Sequence, residues 1–186
     1  MIRLNLFGDS HFVRMHKFLR RANYSNIQVD TVIAESGIRI SKLKALIKQR
    51  KPKIQAGTIN LIFIATNDLK QGRSFQQIKT DLLSLIALFR RILPEDAQLI
   101  LVSLPNFPAF QNQPHTLGKI YHLNRLIVSV NTERIHHLQW QLVKPVEFYI
   151  EAFYNGSHPR KDGIHLNFRG FEYIINSVCR WHCETR

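Results

Sequence analysis

Short apolar runs alternate along this chain with longer amphipathic runs, and few folds accommodate that pattern. Short apolar runs are typical of strands buried on both faces, whereas amphipathic runs are typical of helices packed on a core. The alternation therefore predicts an α/β fold, in which helices cover both faces of a parallel sheet. The predicted strands are Ile2–Phe7, Ile27–Ile33, Ile59–Ile64, Ala97–Ser103 and Leu138–Val143. The predicted helices are His11–Ala22, Ile40–Arg50, Phe75–Leu93, Leu117–Ile135 and Phe168–Cys183.

Length and composition agree with a single domain spanning residues 1–186. The chain has 186 residues, of which 45% are hydrophobic and 21% are charged, and it contains no internal repeat or linker. A chain of this length buries roughly 70% of the surface that its unfolded form exposes, so its core needs no metal or disulfide. We therefore expect one globular domain that holds no cofactor.

The cysteines and the N-terminus indicate the compartment. Cys179 and Cys183 lie one helical turn apart in the last predicted helix, which is not the arrangement of a disulfide framework. With His182 they form only part of a zinc-ligand set, so we predict no metal site. No apolar stretch approaches the roughly 20 residues that a membrane span needs, and the N-terminus does not have the pattern of a signal peptide. We expect an intracellular, cytoplasmic protein.

Charge is the one outlying feature of the composition. The formal net charge is +13 at pH 7, which predicts a polyanionic partner: RNA, single-stranded DNA or an anionic membrane surface. One group of cations lies on the second predicted helix and its exit, between Arg39 and Lys53. The candidate nucleic-acid-binding residues lie instead on the first and last helices: Arg14, Lys17, Arg21, Arg169 and Arg180. A solvated face that binds nothing is the alternative for both groups.

Polar segments interrupt the apolar sequence where predicted strands end. Three of them follow strands, and a fourth precedes the last helix. Because ligands bind at the carboxyl ends of parallel strands, we expect these segments to lie together at one edge of the sheet. The segments are Gly8-Asp9-Ser10, Ser36-Gly37, Thr66-Asn67-Asp68 and Asp162-Gly163-Ile164-His165.

Ser10 has the position of a nucleophile. It lies at a strand-to-helix turn, where backbone N–H groups and the helix dipole stabilise negative charge. A serine hydroxyl needs a histidine base near pH 7, and that base needs a partner that fixes its tautomer. His165 and Asp162 can fill these two roles. Gly37 can donate a backbone N–H, and Asn67 a side-chain amide, to an oxyanion.

Each of these residues also has a purely structural interpretation. Ser10 can cap the first helix, and Asn67 and Asp68 can close a turn after the third strand. His165 can be a surface histidine. The spacing of Asp162 and His165, directly before a helix, favours the catalytic interpretation.

Together, the four segments resemble the four conserved blocks, in order, of the SGNH hydrolases, also called the GDSL esterase and lipase family. The resemblance implies a flavodoxin-like three-layer fold with strand order 2-1-3-4-5, and hydrolysis of carboxylic esters through an acyl-serine intermediate. It implies that Ser10 is the nucleophile, His165 the general base and Asp162 its orienter. The implied oxyanion hole consists of the Ser10 N–H, the Gly37 N–H and the Asn67 side chain. The expected substrates are small esters, lipids or acetylated sugars.

One departure and two relatives accompany this resemblance. Ala65 stands where the family usually has glycine, so its methyl group is expected to narrow the site or shift Asn67. The opening Gly8-Asp9-Ser10-His11, followed by basic residues, looks like the esterase modules of some retrotransposon proteins. The RNA-binding domain of Oskar is similar in fold and lacks the catalytic triad. The alternative function is therefore nucleic-acid binding with little or no hydrolysis.

Overall fold

The strands form one parallel sheet. The computed structural model describes residues 1–22, 24–130, 132, 135–138 and 163–184. Within them, five strands pair in parallel in the order β2-β1-β3-β4-β5. The predicted parallel sheet and its strand order are therefore confirmed. The strands are β1 (Ile2–Gly8), β2 (Ile27–Ala34), β3 (Ile59–Phe63), β4 (Gln98–Val102) and β5 (Ile135–Leu138).

Helices cover the sheet. Helix α1 packs against α6, whereas α4 packs against both α2 and α5. The chain moves one way along the sheet from β1 to β2 and the other way from β2 to β3, so right-handed crossovers place α1 and α2 on opposite faces. The helices are α1 (Ser10–Ala22), α2 (Ile40–Arg50), α3 (Thr66–Lys70), α4 (Phe75–Ile92), α5 (Pro114–Ser129) and α6 (Phe168–Glu184), with a 3-10 helix at Pro108–Phe110.

The core follows from the apolar pattern of these elements. Every residue of β3 is buried, and four of its five residues are apolar, as expected for a central strand. The exception is Asn60, whose Nδ2 donates to the Gln98 carbonyl over 3.0 Å. In α1 the buried side chains are His11, Phe12, Met15 and Leu19, which fall on one face of the helix. Aromatic rings fill the space between the sheet and α1, where the Phe12 and Phe63 ring centroids lie 6.0 Å apart.

The predicted boundary between the helix at Leu117–Ile135 and the last strand was wrong. Helix α5 ends at Ser129, and β5 begins at Ile135, which the sequence pattern placed at the end of the helix. The backbones of Thr132 and Ile135 exchange hydrogen bonds of 2.8 and 3.2 Å, so the chain has left the helix by Thr132 and enters the strand at Ile135. Residues 139–143 of the predicted strand lie outside the described residues. The short α3 and the 3-10 helix were not predicted.

In the part of the chain that the structure describes, no helix combines the length and the apolar character that crossing a membrane requires.

Candidate active site

The nucleophile candidate lies where β1 turns sharply into α1. At Gly8 the strand passes so close to β3 that a Cβ would lie 2.2 Å from the Phe63 carbonyl oxygen, so only glycine fits. Asp9 then caps α1, because its carboxylate accepts the His11 N–H over 3.0 Å. The cap is therefore Asp9, and the Ser10 hydroxyl is left to bond elsewhere.

The partner of the Ser10 hydroxyl is His165. Ser10 Oγ lies 2.8 Å from Nε2 of His165, and both residues are half-buried. The hydroxyl donates to Nε2 when the neutral ring carries its proton on Nδ1. Two residues after His165, Asn167 caps the start of α6, since its side chain accepts the Gly170 N–H over 3.1 Å. The structure thus brings the predicted nucleophile and the predicted base into hydrogen-bond contact.

Asp162, the predicted orienter of His165, lies outside the described residues, so its role stays a prediction. The described part of this loop begins at Gly163, which has a φ of +60°. The carbonyl of Gly163 accepts the Ala109 N–H over 3.1 Å. The loop before His165 is therefore bonded to the segment that follows β4.

The two other oxyanion candidates lie on neighbouring turns. Gly37 lies between β2 and α2 with a φ of +77°, in the left-handed region that favours glycine. Asn67 lies in the first turn of α3, and its Nδ2 donates to the Ile38 carbonyl over 3.0 Å. An amide carries two N–H groups, so this bond leaves a second one. Because β1 lies between β2 and β3, the turns of Gly37 and Asn67 flank the turn that carries Ser10.

Comparisons with known proteins agree on one fold. No protein-family model and no curated protein sequence matches the chain. A lipase from a goat rumen metagenome matches in structure, with a TM-score of 0.69 at 16% identity and 97% of each chain covered. A member of the lipolytic G-D-S-L family from Veillonella parvula matches with a TM-score of 0.70 at 14% identity, also over 97% of each chain. The chain has the fold of the GDSL lipases and esterases.

The GDSL fold is shared by a protein of another kind. The OSK domain of Drosophila Oskar matches this chain with a TM-score of 0.67 at 16% identity, covering 93% of this chain and 85% of that one. Lipases and a domain of Oskar thus have the same arrangement of strands and helices. Function within the GDSL fold must therefore be argued from the side chains of the site.

Ala65, which stands where the GDSL pattern has glycine, keeps a backbone conformation typical of glycine. It has a φ of +94°, a conformation that glycine adopts freely and alanine does not, and it is only 2% exposed. A single residue with a side chain in this region costs about 1–2 kcal/mol. The backbone between β3 and Asn67 therefore keeps the shape that glycine would give it, and the alanine strains it.

Asp68 has a structural role at the centre of this edge. It is fully buried, and its Oδ2 accepts the Ile40 N–H at the start of α2 over 3.2 Å. Arg73 bridges Asp68 and Asp81 with contacts of 2.5 and 2.7 Å. Burial raises the pKa of the Asp68 carboxyl, whereas the bonds from Arg73 and the Ile40 N–H favour its charged form. Asp68 therefore ties α3 to α2 and holds the Asn67 turn against the Gly37 turn.

One residue of this site was missed at the sequence level. His11 is fully buried, with its ring centroid 5.4 Å from that of His165. A signal for it was present, because His11 shares the helical face of the apolar Phe12, Met15 and Leu19. A histidine on a buried face needs polar partners for both ring nitrogens.

The candidate cations on α1 and α6 lie on adjacent helices. The Phe18 and Phe171 ring centroids are 6.0 Å apart, which places α1 beside α6. None of the five forms an ion pair within the described residues. On α2, by contrast, Lys42 and Arg50 both lie beside Glu35, at 3.4 and 3.2 Å. The five exposed cations are Arg14, Lys17, Arg21, Arg169 and Arg180.

Within the described residues, no three histidine, cysteine, aspartate or glutamate side chains lie close enough to hold a metal ion. Cys179 and Cys183 are free thiols, the first half-buried and the second exposed. Burial raises the pKa of the Cys179 thiol, which disfavours the reactive thiolate.

Proposed function

We propose that this chain is a serine esterase that hydrolyses carboxylic esters through an acyl-serine intermediate. The observation that carries the proposal is the 2.8 Å contact between Ser10 Oγ and Nε2 of His165. The position of Ser10 at the start of α1 supports it, because the positive end of the helix dipole favours the negative charge that acyl transfer creates.

In the first step, Ser10 Oγ bonds to the carbonyl carbon of the ester while its proton passes to Nε2 of His165. The carbonyl π electrons move to oxygen, and the N–H groups of Ser10 and Gly37 and the Asn67 amide stabilise that oxyanion. Asp162 accepts the Nδ1–H of His165, which keeps Nε2 free to act as the base. The carbon–oxygen bond to the alcohol then breaks, and the proton on Nε2 transfers to the departing oxygen.

In the second step, water attacks the acyl carbon. His165 takes one proton from the water and returns it to Ser10 Oγ as the serine–acyl bond breaks. An ester and a water molecule become a carboxylic acid and an alcohol, and the enzyme is regenerated. The substrates we propose are small esters, lipids or acetylated sugars.

The test is hydrolysis of p-nitrophenyl acetate by the purified chain. We expect Ser10→Ala to lower kcat by about a thousandfold or more, because the triad acts as a unit. We expect Asp162→Asn to lower kcat as well, since it alters the tautomer of His165. A fluorophosphonate probe provides a second readout, because Ser10 Oγ displaces its fluoride and becomes covalently labelled.

The matched control is Ser41→Ala, which removes an exposed hydroxyl at the start of α2. It should keep the activity and the labelling of the parent. A Ser10→Ala variant that hydrolyses the ester as fast as Ser41→Ala would refute the proposal.

We also propose a second function, binding of RNA or single-stranded DNA by the five cations of α1 and α6. The observation that favours it is that these cations are exposed and form no ion pairs within the described residues, whereas Glu35 partly neutralises the α2 group. Unpaired surface cations release condensed counterions from a nucleic acid, and this release dominates affinity. Such a face binds phosphates and carries little sequence preference.

A further inference from the structure

The buried ring of His11 connects the nucleophile turn to the loop of the proposed base. Nδ1 of His11 lies 2.7 Å from Asp9 Oδ1, and Nε2 lies 2.9 Å from the carbonyl oxygen of Ile164. His11 and Asp9 are both fully buried, so water does not compete for these bonds. Ile164 directly precedes His165, and Asp9 directly precedes Ser10.

The two partners determine which ring nitrogen carries a proton. A backbone carbonyl only accepts, so the contact at Nε2 requires a proton on Nε2. Asp9 Oδ1 also accepts the His11 backbone N–H, and Asp9 Oδ2 is buried with no partner within the described residues. Within the described residues, the His11 ring is the only side chain that bonds to this buried carboxylate. The Asp9–His11 pair therefore presents an N–H to Ile164.

We propose that Asp9 and His11 form a positioning pair that sets the distance between His165 and Ser10. Asp9 holds the His11 ring so that Nε2–H donates to the Ile164 carbonyl, and this bond fixes the peptide that carries His165. The inference rests on the proposed function for the role of His165 as a base. His11 itself touches no reacting atom, and acts only through the loop.

The surroundings of the ring give this bond its rigidity. The His11 ring centroid lies 4.6 Å from that of Phe63 and 6.0 Å from that of Phe107. The carbonyl before Ile164, that of Gly163, is held by the Ala109 N–H. Two consecutive carbonyls of the loop are thus bonded to the body of the protein, which leaves the His165 peptide little freedom.

Two substitutions at His11 separate its two bonds. In His11→Gln the side-chain Nε2 takes the place of the imidazole Nε2, so the donor to Ile164 is kept. In His11→Asn the side-chain Nδ2 takes the place of Nδ1, so the bond to Asp9 is kept and the bond to Ile164 is lost.

We expect His11→Asn to lower kcat for p-nitrophenyl acetate by about 10–100-fold with little change in KM, as for other groups that orient a catalytic side chain. We expect a loss of less than tenfold for His11→Gln.

The control pair is His16→Asn and His16→Gln, at a half-buried histidine of the same helix. Neither should change kcat. Equal losses of kcat in His11→Asn and His11→Gln, or no loss in either, would overturn the inference.

A measurement on the unmodified protein covers the case in which the His11 variants do not fold. Long-range ¹H–¹⁵N correlation spectra should find a proton on Nε2 of His11, as its contact with the Ile164 carbonyl requires. An unprotonated Nε2 overturns the inference.

The same spectra separate this inference from the proposed function. If the parent cleaves no ester, the proposed function fails in the Ser10 test, and the positioning pair is judged from the His165 ring signals. His11→Asn must then shift those signals, and His11→Gln must leave them near their parent positions. The opposite pattern refutes the proposed positioning role of Asp9 and His11, and it does not affect the outcome of the Ser10 test.

Discussion

The Ala109 N–H donates a hydrogen bond of 3.1 Å to the Gly163 carbonyl, and a Cβ on Gly163 would lie 2.8 Å from the same nitrogen. Gly163 also has a φ of +60°. The loop that carries His165 therefore approaches the segment after β4 at a distance that only glycine permits, and in a conformation that glycine favours.

We expect Gly163→Ala to destabilise the fold by about 2–3 kcal/mol and to lower esterase kcat, because the methyl group displaces the loop of His165. Urea unfolding measures the first effect, and p-nitrophenyl acetate hydrolysis measures the second. The matched control is Gly57→Ala, at a φ of +66° with no atom within 4 Å of the added Cβ. Gly57→Ala should lower the free energy of unfolding by about 1 kcal/mol, because alanine disfavours the left-handed conformation, and it should leave kcat unchanged. Identical losses of stability in the two variants would show that the close approach contributes nothing.

At Ala65 the opposite substitution should stabilise the protein. Ala65→Gly relieves a φ of +94° and should raise the free energy of unfolding by about 1 kcal/mol. Ala45→Gly, at an exposed position inside α2, is the control and should lower it by about 1 kcal/mol. The measurement is the urea midpoint of each variant. A loss at position 65 as large as that at position 45 would contradict the assignment of strain to Ala65.

The sheet was predictable from the sequence because strands buried on both faces leave short, mostly apolar runs, as in β3, where Asn60 is the one polar residue. The strand order came from the resemblance of the four polar segments, not from periodicity. The start of the last strand was misplaced because Ile135 continues the apolar spacing of Leu123 and Ile127, and the backbone bonds between Thr132 and Ile135 leave no mark in that spacing.

The site was predictable to different degrees. Ser10 and His165 follow from the residue types that acyl transfer requires. The role of His11 does not, because its partner Ile164 is 153 positions away and contributes only a backbone carbonyl, which no local pattern marks. The cap from Asp68 to Ile40 likewise joins two segments that are local in space and distant in sequence.

The stability of the protein should depend on the titration of His16. Burial lowers the pKa of His16 below its usual value of about 6.5, and the charge of Arg20 lowers it further. Between the two values the unfolded chain binds a proton that the folded chain does not, so stability is complete above about pH 6.5 and falls as the pH drops through this window. His16→Gln removes the effect. Urea midpoints should therefore favour the variant over the parent increasingly on acidification, and a difference that stays constant with pH would contradict this.

Nucleic-acid binding should depend on α1 rather than α2. We expect Arg14→Glu combined with Lys17→Glu to weaken binding of single-stranded RNA. The slope of log affinity against log salt should fall in magnitude by about 1–2, because binding with fewer phosphate contacts releases fewer counterions. Fluorescence anisotropy at low and moderate salt measures both quantities. The matched control is Lys48→Glu combined with Lys53→Glu, two exposed positions on α2 and its exit.

Equal effects of the two double variants would remove α1 as the binding face. Flotation with anionic vesicles tests whether these cations bind a membrane surface instead. Binding to vesicles without binding to RNA would replace the nucleic-acid proposal with a proposal of membrane binding.

The contact between Ser10 and His165 joins residues that are 155 positions apart. During synthesis from the N-terminus, the serine leaves the ribosome long before the histidine is made. Under the proposed function, the Ser10 hydroxyl is not activated until the loop before α6 has packed beside it. Under the proposed function, a nascent chain therefore carries its nucleophile without a base while the 155 positions up to His165 are synthesised, and this delay limits premature reaction with esters in the surrounding medium.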